Sequence, residues 1–178
     1  MPELPEVRTI VKQLAEEITS LTITNLKVLR NNFIKEISID DFKKQVIGQE
    51  IVKVANRAKF ILIFLKNKEV ILTHLRMEGK FRLEKEYEER KHDYLIFSLS
   101  NGYTLTYNDT RLFGSFQLRD EASLLQTKPL SNLGPIPSKI TEGILYEKLQ
   151  RRGIPIKLAL LDQKLISGLG NIYVCEAL

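Results

Sequence analysis

Pro2, Glu3, Pro5 and Glu6 crowd unusual chemistry into the first six residues of the chain. The small ring of Pro2 permits removal of Met1, which would leave a secondary amine as the mature N-terminus. An α-amino group has a reference pKa of roughly 8, so a useful fraction is unprotonated near neutrality. Such an amine can attack an electrophilic carbon and form an imine, dividing one difficult bond cleavage into two easier steps. Glu3 and Glu6 are the candidate proton carriers, provided their surroundings raise a pKa. The alternative is structural: both prolines punctuate the start of the chain, with Pro5 in a first helical turn where its missing N–H costs nothing.

A reactive N-terminus needs an anchor. Val7, Ile10, Val11, Leu14 and Ile18 recur at helical spacing from Pro5 to about Thr19, with Arg8, Lys12, Glu16 and Glu17 opposite, predicting an amphipathic helix that packs on a sheet. Short β-type runs follow at Thr22–Leu29, Phe33–Ile39, Ile51–Ala55, Phe60–Leu65, Val70–His74, Lys80–Leu83, Tyr94–Leu99, Tyr103–Tyr107 and Phe116–Leu118. Between the second and third, Asp40 and Asp41 can cap a short helix ending near Gly48. Asn101-Gly102 suits a tight hairpin. Strands this close together imply antiparallel meanders, hence a two-layer sandwich or barrel. The mixed-charge stretch Glu84–Lys91 reads as a solvated loop. The loop Gln126–Ser138 marks a change of character, and the helical signals beyond it are Thr141–Arg152, Ile156–Leu161 and Ile172–Leu178. Asn171 is placed to cap the last.

With 43% hydrophobic and 28% charged residues, the composition is that of a globular chain rather than a disordered one. No apolar run reaches membrane-spanning length and no signal-peptide pattern opens the chain, so the cytoplasm is the expected compartment. One cysteine, Cys175, excludes an internal disulfide framework and is expected as a small buried residue. Cys175 with His74 and His92 supplies no structural zinc site. A net charge of +5 suits a polyanionic partner if the cations gather on one face.

The start Met1-Pro2-Glu3-Leu4-Pro5-Glu6-Val7 resembles the N-terminus of the formamidopyrimidine-DNA glycosylase and endonuclease VIII family of base-excision repair enzymes. Later stretches match in order: Asn56-Arg57-Ala58-Lys59-Phe60, His74-Leu75-Arg76-Met77-Glu78-Gly79, Lys91-His92-Asp93, Asn108-Asp109-Thr110-Arg111-Leu112-Phe113-Gly114, and Leu160-Leu161-Asp162 through to Leu178. The resemblance implies that Pro2 is the nucleophile, that Glu3 handles a proton at the sugar and that Lys59 assists catalysis beside DNA, with Glu6 a possible second carboxylate. It implies DNA contacts by His74, His92, Arg111, Arg152, Lys157 and Asn171. Met77, Arg111 and Phe113 would fill the void left by an extruded nucleotide, offsetting part of an unstacking cost of a few kcal/mol. Each also has a plainer reading: Met77 and Phe113 as core, Lys59 as an edge charge, Asn171 as a helix cap. Leu112 stands where some members carry a second arginine, which removes one phosphate contact.

The expected fold is therefore α+β: an N-terminal two-layer antiparallel β-sandwich with its flanking helix over residues 1–130, then a partial helix-two-turns-helix domain over 131–178. The resemblance implies a monomeric glycosylase and AP lyase acting on oxidised purines such as 8-oxoguanine or formamidopyrimidines, or on abasic sites, in double-stranded DNA. It also implies one zinc ion held by a C-terminal zinc finger beyond residue 178, so that this chain is a truncated form with weakened DNA clamping and no cofactor of its own. Leu4 and the context of Lys59 favour the formamidopyrimidine branch over the endonuclease VIII branch, which acts on oxidised pyrimidines. Other readings are a non-catalytic fragment that binds damaged DNA and, more remotely, an RNA-binding protein.

Overall fold

The computed structural model describes residues 1–178. Its first helix, α1 (Leu4–Ile18), buries Leu4, Val7, Val11, Leu14 and Ile18 along one face, as the periodicity predicts. That face lies against β2 (Ile51–Arg57), with further contact to β3 (Phe60–Leu65), which ties the start of the chain to a sheet.

Eight strands form two antiparallel four-stranded sheets. One runs in the order β1 (Ile23–Val28), β6 (Asp93–Leu99), β7 (Thr104–Asn108), β5 (Lys80–Glu84); the other runs β2, β3, β4 (Glu69–His74), β8 (Ser115–Asp120). Alternation along the strands sends Ile61, Ile63, Ile71 and Phe116 from one sheet to meet Leu26, Leu95, Phe97 and Tyr107 from the other, with α1 closing the same core. Each fully buried large side chain contributes roughly 1.5–3 kcal/mol. The sandwich is thus a rigid base from which short loops project.

Two local expectations are corrected. The run Phe33–Ile39 is not a strand: a 3-10 turn at Asn31–Phe33 drives Phe33 into the core, Ile34 makes one isolated bridge to Phe116, and Glu36 takes φ 66°, which breaks the extended path. The following helix, α2 (Ile39–Val46), is capped by Ser38 rather than by the aspartates. The Ser38 hydroxyl accepts the Asp41 N–H at 3.1 Å, and Asp40 and Asp41 sit in the first turn, where negative charge is favourable.

After β8 the chain stays on the sandwich, burying Leu124 and Leu130 against Leu62, Val70 and Leu72 on the outer face of the second sheet. The helical part comprises α3 (Glu142–Gln150), α4 (Ile156–Leu161) and α5 (Asn171–Ala177), packed on a small core of Ala159, Leu160, Leu165, Ile166 and Val174. Cys175 is exposed on α5 rather than buried, because Val174 takes the inward position. We take 1–130 and 131–178 as the two units. They are joined at Gly134, whose carbonyl accepts from the Arg57 guanidinium of the first unit at 3.2 Å and from Ser167 Oγ of its own unit at 2.6 Å.

Candidate functional site

Glu3 belongs to the sandwich by sequence and to the helical unit by contact. It is 2% exposed, and its carboxylate accepts the backbone N–H groups of Gly170 at 2.5 Å, Ile172 at 2.8 Å and Tyr173 at 3.4 Å. These are orphan donors at the start of α5, so a side chain 167 residues away caps that helix. Asn171 is the first helical residue and Gly170 the N-cap, so Asn171 does not cap α5. Glu3 takes three of the backbone donors at this end of the helix, those of Gly170, Ile172 and Tyr173. Gly170 has to lack a side chain: a Cβ would lie 2.6 Å from the Glu3 carboxyl carbon. The Leu4 N–H to Gly168 carbonyl bond, 2.9 Å, completes the join and holds half-buried Pro2 at the seam.

Glu6 faces the same seam, accepting the Glu3 N–H at 2.9 Å and the Tyr173 hydroxyl at 2.9 Å. Burial works to raise its pKa, but the hydrogen bonds from Tyr173 and from the backbone outweigh it and hold the carboxyl below its ordinary value. The raised pKa that a proton donor needs is absent at Glu6.

Lys59 lies in the two-residue connection between β2 and β3, where Ala58 takes φ 50° and the Asn56 side chain donates to the Ala58 carbonyl at 3.0 Å. The lysine is 5% exposed and enters no ion pair. Burial lowers its pKa, the nearby charge of Glu3 opposes that shift and Arg76 adds to it. A buried ammonium with a lowered pKa gives up its proton more readily than a solvated lysine.

His74 ends β4 and is 7% exposed. Its Nδ1 accepts the Arg76 N–H at 2.9 Å and its ring packs edge-on against Phe60. Burial, with Arg76 and Lys59 adding, pushes its pKa down to about 3, so the imidazole is neutral at physiological pH. His74 shapes the Arg76 turn, and the DNA contact that the resemblance implies for it would be made by a neutral imidazole.

Two loops project together. Met77 is 39% exposed and Phe113 55% exposed, and the guanidinium of exposed Arg111 sits 5.2 Å from the Phe113 ring centroid. Sequence reasoning missed what sets them. Fully buried Asp109 accepts the N–H groups of Arg111 (3.0 Å), Leu112 (3.1 Å) and Gly114 (2.8 Å) together with the Tyr107 hydroxyl (3.0 Å). A Cβ on Gly114 or Gly79 would collide with that same hydroxyl, so one phenol oxygen registers both loops. The signal available in the sequence was the pair of glycines, each closing one of the loops.

His92 is half-buried, and its Nδ1 lies 3.0 Å from the Tyr94 hydroxyl. The stretch before it is held by more than solvent. Asp93 accepts from Arg82 (2.9 Å), the Asn108 amide (2.8 Å), the Arg90 N–H (3.0 Å) and the Tyr87 hydroxyl (3.3 Å), while Glu84 takes Arg82 and Arg90. The expectation of a merely solvated loop is corrected by this ionic clasp. In the helical unit Lys157 and Asn171 are exposed, whereas Arg152 is paired with Asp162 at 2.8 Å. Ala58, Arg76, His92 and Leu112, in or beside these loops, adopt φ of 50°, 57°, 73° and 62°. Left-handed backbone costs a non-glycine residue roughly 1–2 kcal/mol, and such strain concentrates where a surface has to present particular groups.

No group of three or more His, Cys, Asp or Glu is placed to hold a metal ion. The zinc that the resemblance implies was expected beyond residue 178, and it enters no step below.

Residues 1–116 match the model of the formamidopyrimidine-DNA glycosylase N-terminal domain and residues 133–178 that of the formamidopyrimidine-DNA glycosylase H2TH domain. Formamidopyrimidine-DNA glycosylase of Mycoplasma mobile is 43% identical over 179 residues, covering 100% of this chain and 65% of the relative. That of Oceanobacillus iheyensis is 41% identical over 182 residues, again covering 100% and 65%. This chain thus spans about two thirds of the length of those curated relatives. Among solved structures, MutM in complex with DNA containing carbocyclic 8-oxo-G superposes with a TM-score of 0.93 at 33% identity, covering 98% of this chain and 67% of that one. The Lactococcus lactis Fpg bound to abasic-site DNA gives 0.91 at 32% identity, covering 97% and 64%.

Proposed function

This chain belongs to the formamidopyrimidine-DNA glycosylase family, and from that premise we propose that it removes oxidised purines from double-stranded DNA by base excision and nicks the resulting abasic site. The observation that supports this most is the Glu3 clasp, which anchors the residue after Pro2 to the start of α5, with buried Lys59 near enough to feel the charge of Glu3.

After removal of Met1, the Pro2 nitrogen bonds to C1′ of an extruded nucleotide while the C1′–base bond breaks and the base leaves with a proton. Opening of the sugar C1′–O4′ bond gives an iminium. Glu3 serves the proton at the sugar, and Lys59, whose pKa burial lowers, assists the proton transfers. Loss of a proton from C2′ then expels the 3′ phosphate, and a second elimination expels the 5′ phosphate. Met77, Arg111 and Phe113, registered on Tyr107 and Asp109, fill the space the nucleotide leaves. His92, Lys157, Arg152 and Asn171 face the strand, Arg152 after exchanging Asp162 for phosphate. The substrate is chromosomal, so we place the protein in the bacterial cytoplasm and expect it to act as a monomer. No helix is long and apolar enough to cross a membrane.

Borohydride trapping on duplex DNA carrying 8-oxoguanine or an abasic site tests this. A covalent adduct is expected, and it should vanish when Met1 is retained or when Pro2 is replaced by glycine. No adduct from protein whose Met1 is shown by mass spectrometry to be absent would leave only the non-catalytic damaged-DNA-binding reading.

A further inference from the structure

Beside the Arg111 loop lies a recess of about 500 Å³ that none of the proposed roles uses. Lys80, Arg82, Arg90 and Lys91 line it with Asn108 and Thr110. The register explains the cluster. Lys80 pairs with Asn108 across β5 and β7, Arg82 pairs with Thr106, and the clasp on Asp93 brings the stretch ending in Arg90 and Lys91 against the same corner.

Two carboxylates at this corner are already engaged, while Glu86, Glu88 and Glu89 in the adjoining loop are exposed and enter no ion pair. Asp93 is filled by Arg82, Asn108, Tyr87 and the Arg90 N–H, and Glu84 by Arg82 and Arg90. Lys80 and Lys91 are exposed and enter no ion pair, so the rim carries two unpaired cations with Thr110 in the same lining. A recess of this kind takes an oxyanion, and its position next to His92 and Arg111 puts it on the path of the strand those residues face.

We propose that this recess is a phosphate-binding site for the DNA backbone, in which Lys80 and Lys91 hold phosphodiesters flanking the lesion. The inference rests on the proposed DNA-repair reading and extends its footprint. Arg82 is a positioning residue here, because its guanidinium is committed to Asp93 and Glu84. Arg90 shares that role through Glu84 while leaving an exposed edge.

The test is a salt titration of binding to an intact duplex and to one with an abasic site, comparing the wild type with Lys80→Ala/Lys91→Ala and with the control Lys43→Ala/Lys44→Ala on α2. Each neutralised phosphate contributes about 0.9 to the slope of log affinity against log salt. The recess variant should lose about 1–2 from that slope on both duplexes, with the control unchanged. An unchanged slope, or equal flattening by the control, overturns the site. Preference of the wild type for the abasic duplex is read in the same titration and judges the repair reading separately. Absence of duplex binding by the wild type would sink both.

Discussion

Replacing Glu3 by glutamine preserves shape and removes the charge from the joint between the two units. In the native chain Glu3 Oε2 accepts from Gly170 and Tyr173 and Oε1 accepts from Ile172. A glutamine oxygen can keep one side of that set, but its NH₂ then faces an N–H on the other, and at 2% exposure no water replaces the lost partner. Hydrogen bonds to a charged group contribute about 1.5–3 kcal/mol each. Losing one and weakening the remainder should cost about 2–4 kcal/mol, a large share of the roughly 5–15 kcal/mol that stabilises a typical domain. The loss should also be local. Amide exchange at Ile172 and Val174 should accelerate by more than tenfold, while the central strand residues Ile71 and Leu72 stay protected below the cost of global unfolding. Urea denaturation supplies the total and exchange its location. A stability change under about 0.5 kcal/mol, or equal acceleration in α5 and β4, would refute the view that Glu3 holds α5 in place.

Gly170→Ala attacks the same contact from the other side. Its Cβ would sit 2.7 Å from Glu3 Oε1, so α5 exchange should again accelerate and borohydride trapping should weaken. Tyr107→Phe removes one hydroxyl from a fully buried ring. Stability should fall by about 0.5–1.5 kcal/mol, while affinity for abasic duplex falls further than that because the Met77 and Arg111 loops lose their common register; equal effects would argue against that coupling. His74 gives a pH signature. Its folded pKa of about 3 lies below its ordinary 6.5, so the fold binds fewer protons than the unfolded chain in that window and stability falls as pH drops from 6.5 toward 3. The deficit from this group is about 2 kcal/mol at pH 5, and His74→Asn, whose side-chain oxygen can still accept the Arg76 N–H, should abolish that part of the acid sensitivity. Lys59→Met should remove trapping and raise stability at neutral pH, since it deletes a buried cation with no ion-pair partner; the gain should shrink as pH rises and the native lysine discharges.

Much of the architecture is legible in the chain because its signals are local. Helix α1 follows from the spacing of Val7, Val11, Leu14 and Ile18, and strands such as Phe60–Leu65 and Tyr94–Leu99 follow from short β-branched and aromatic runs between turns. Where a local signal fails, a distant contact has overruled it. The run from Phe33 looks extended, yet the core claims Phe33 and the bridge from Ile34 to Phe116 ends the pattern. Ser38 caps α2 in place of the aspartates because it alone occupies the extended residue before the first turn.

The reactive-looking start, with its proline and two carboxylates, can be read directly from residues 1–7, as can the loops bearing Met77 and Phe113. What no local pattern encodes is which carboxylate does what. Glu3 and Glu6 are equivalent by type, and only the docking of α5 separates them, burying Glu3 against three backbone donors and leaving Glu6 exposed with Tyr173. Likewise His74 and His92 look alike in the sequence, while burial against Phe60, Arg76 and Lys59 neutralises the first. Side-chain type and spacing determined the elements and the candidate chemistry. The charge state and partner of each candidate depend on groups up to 170 residues away, and those were decided only when the sheets and helices packed.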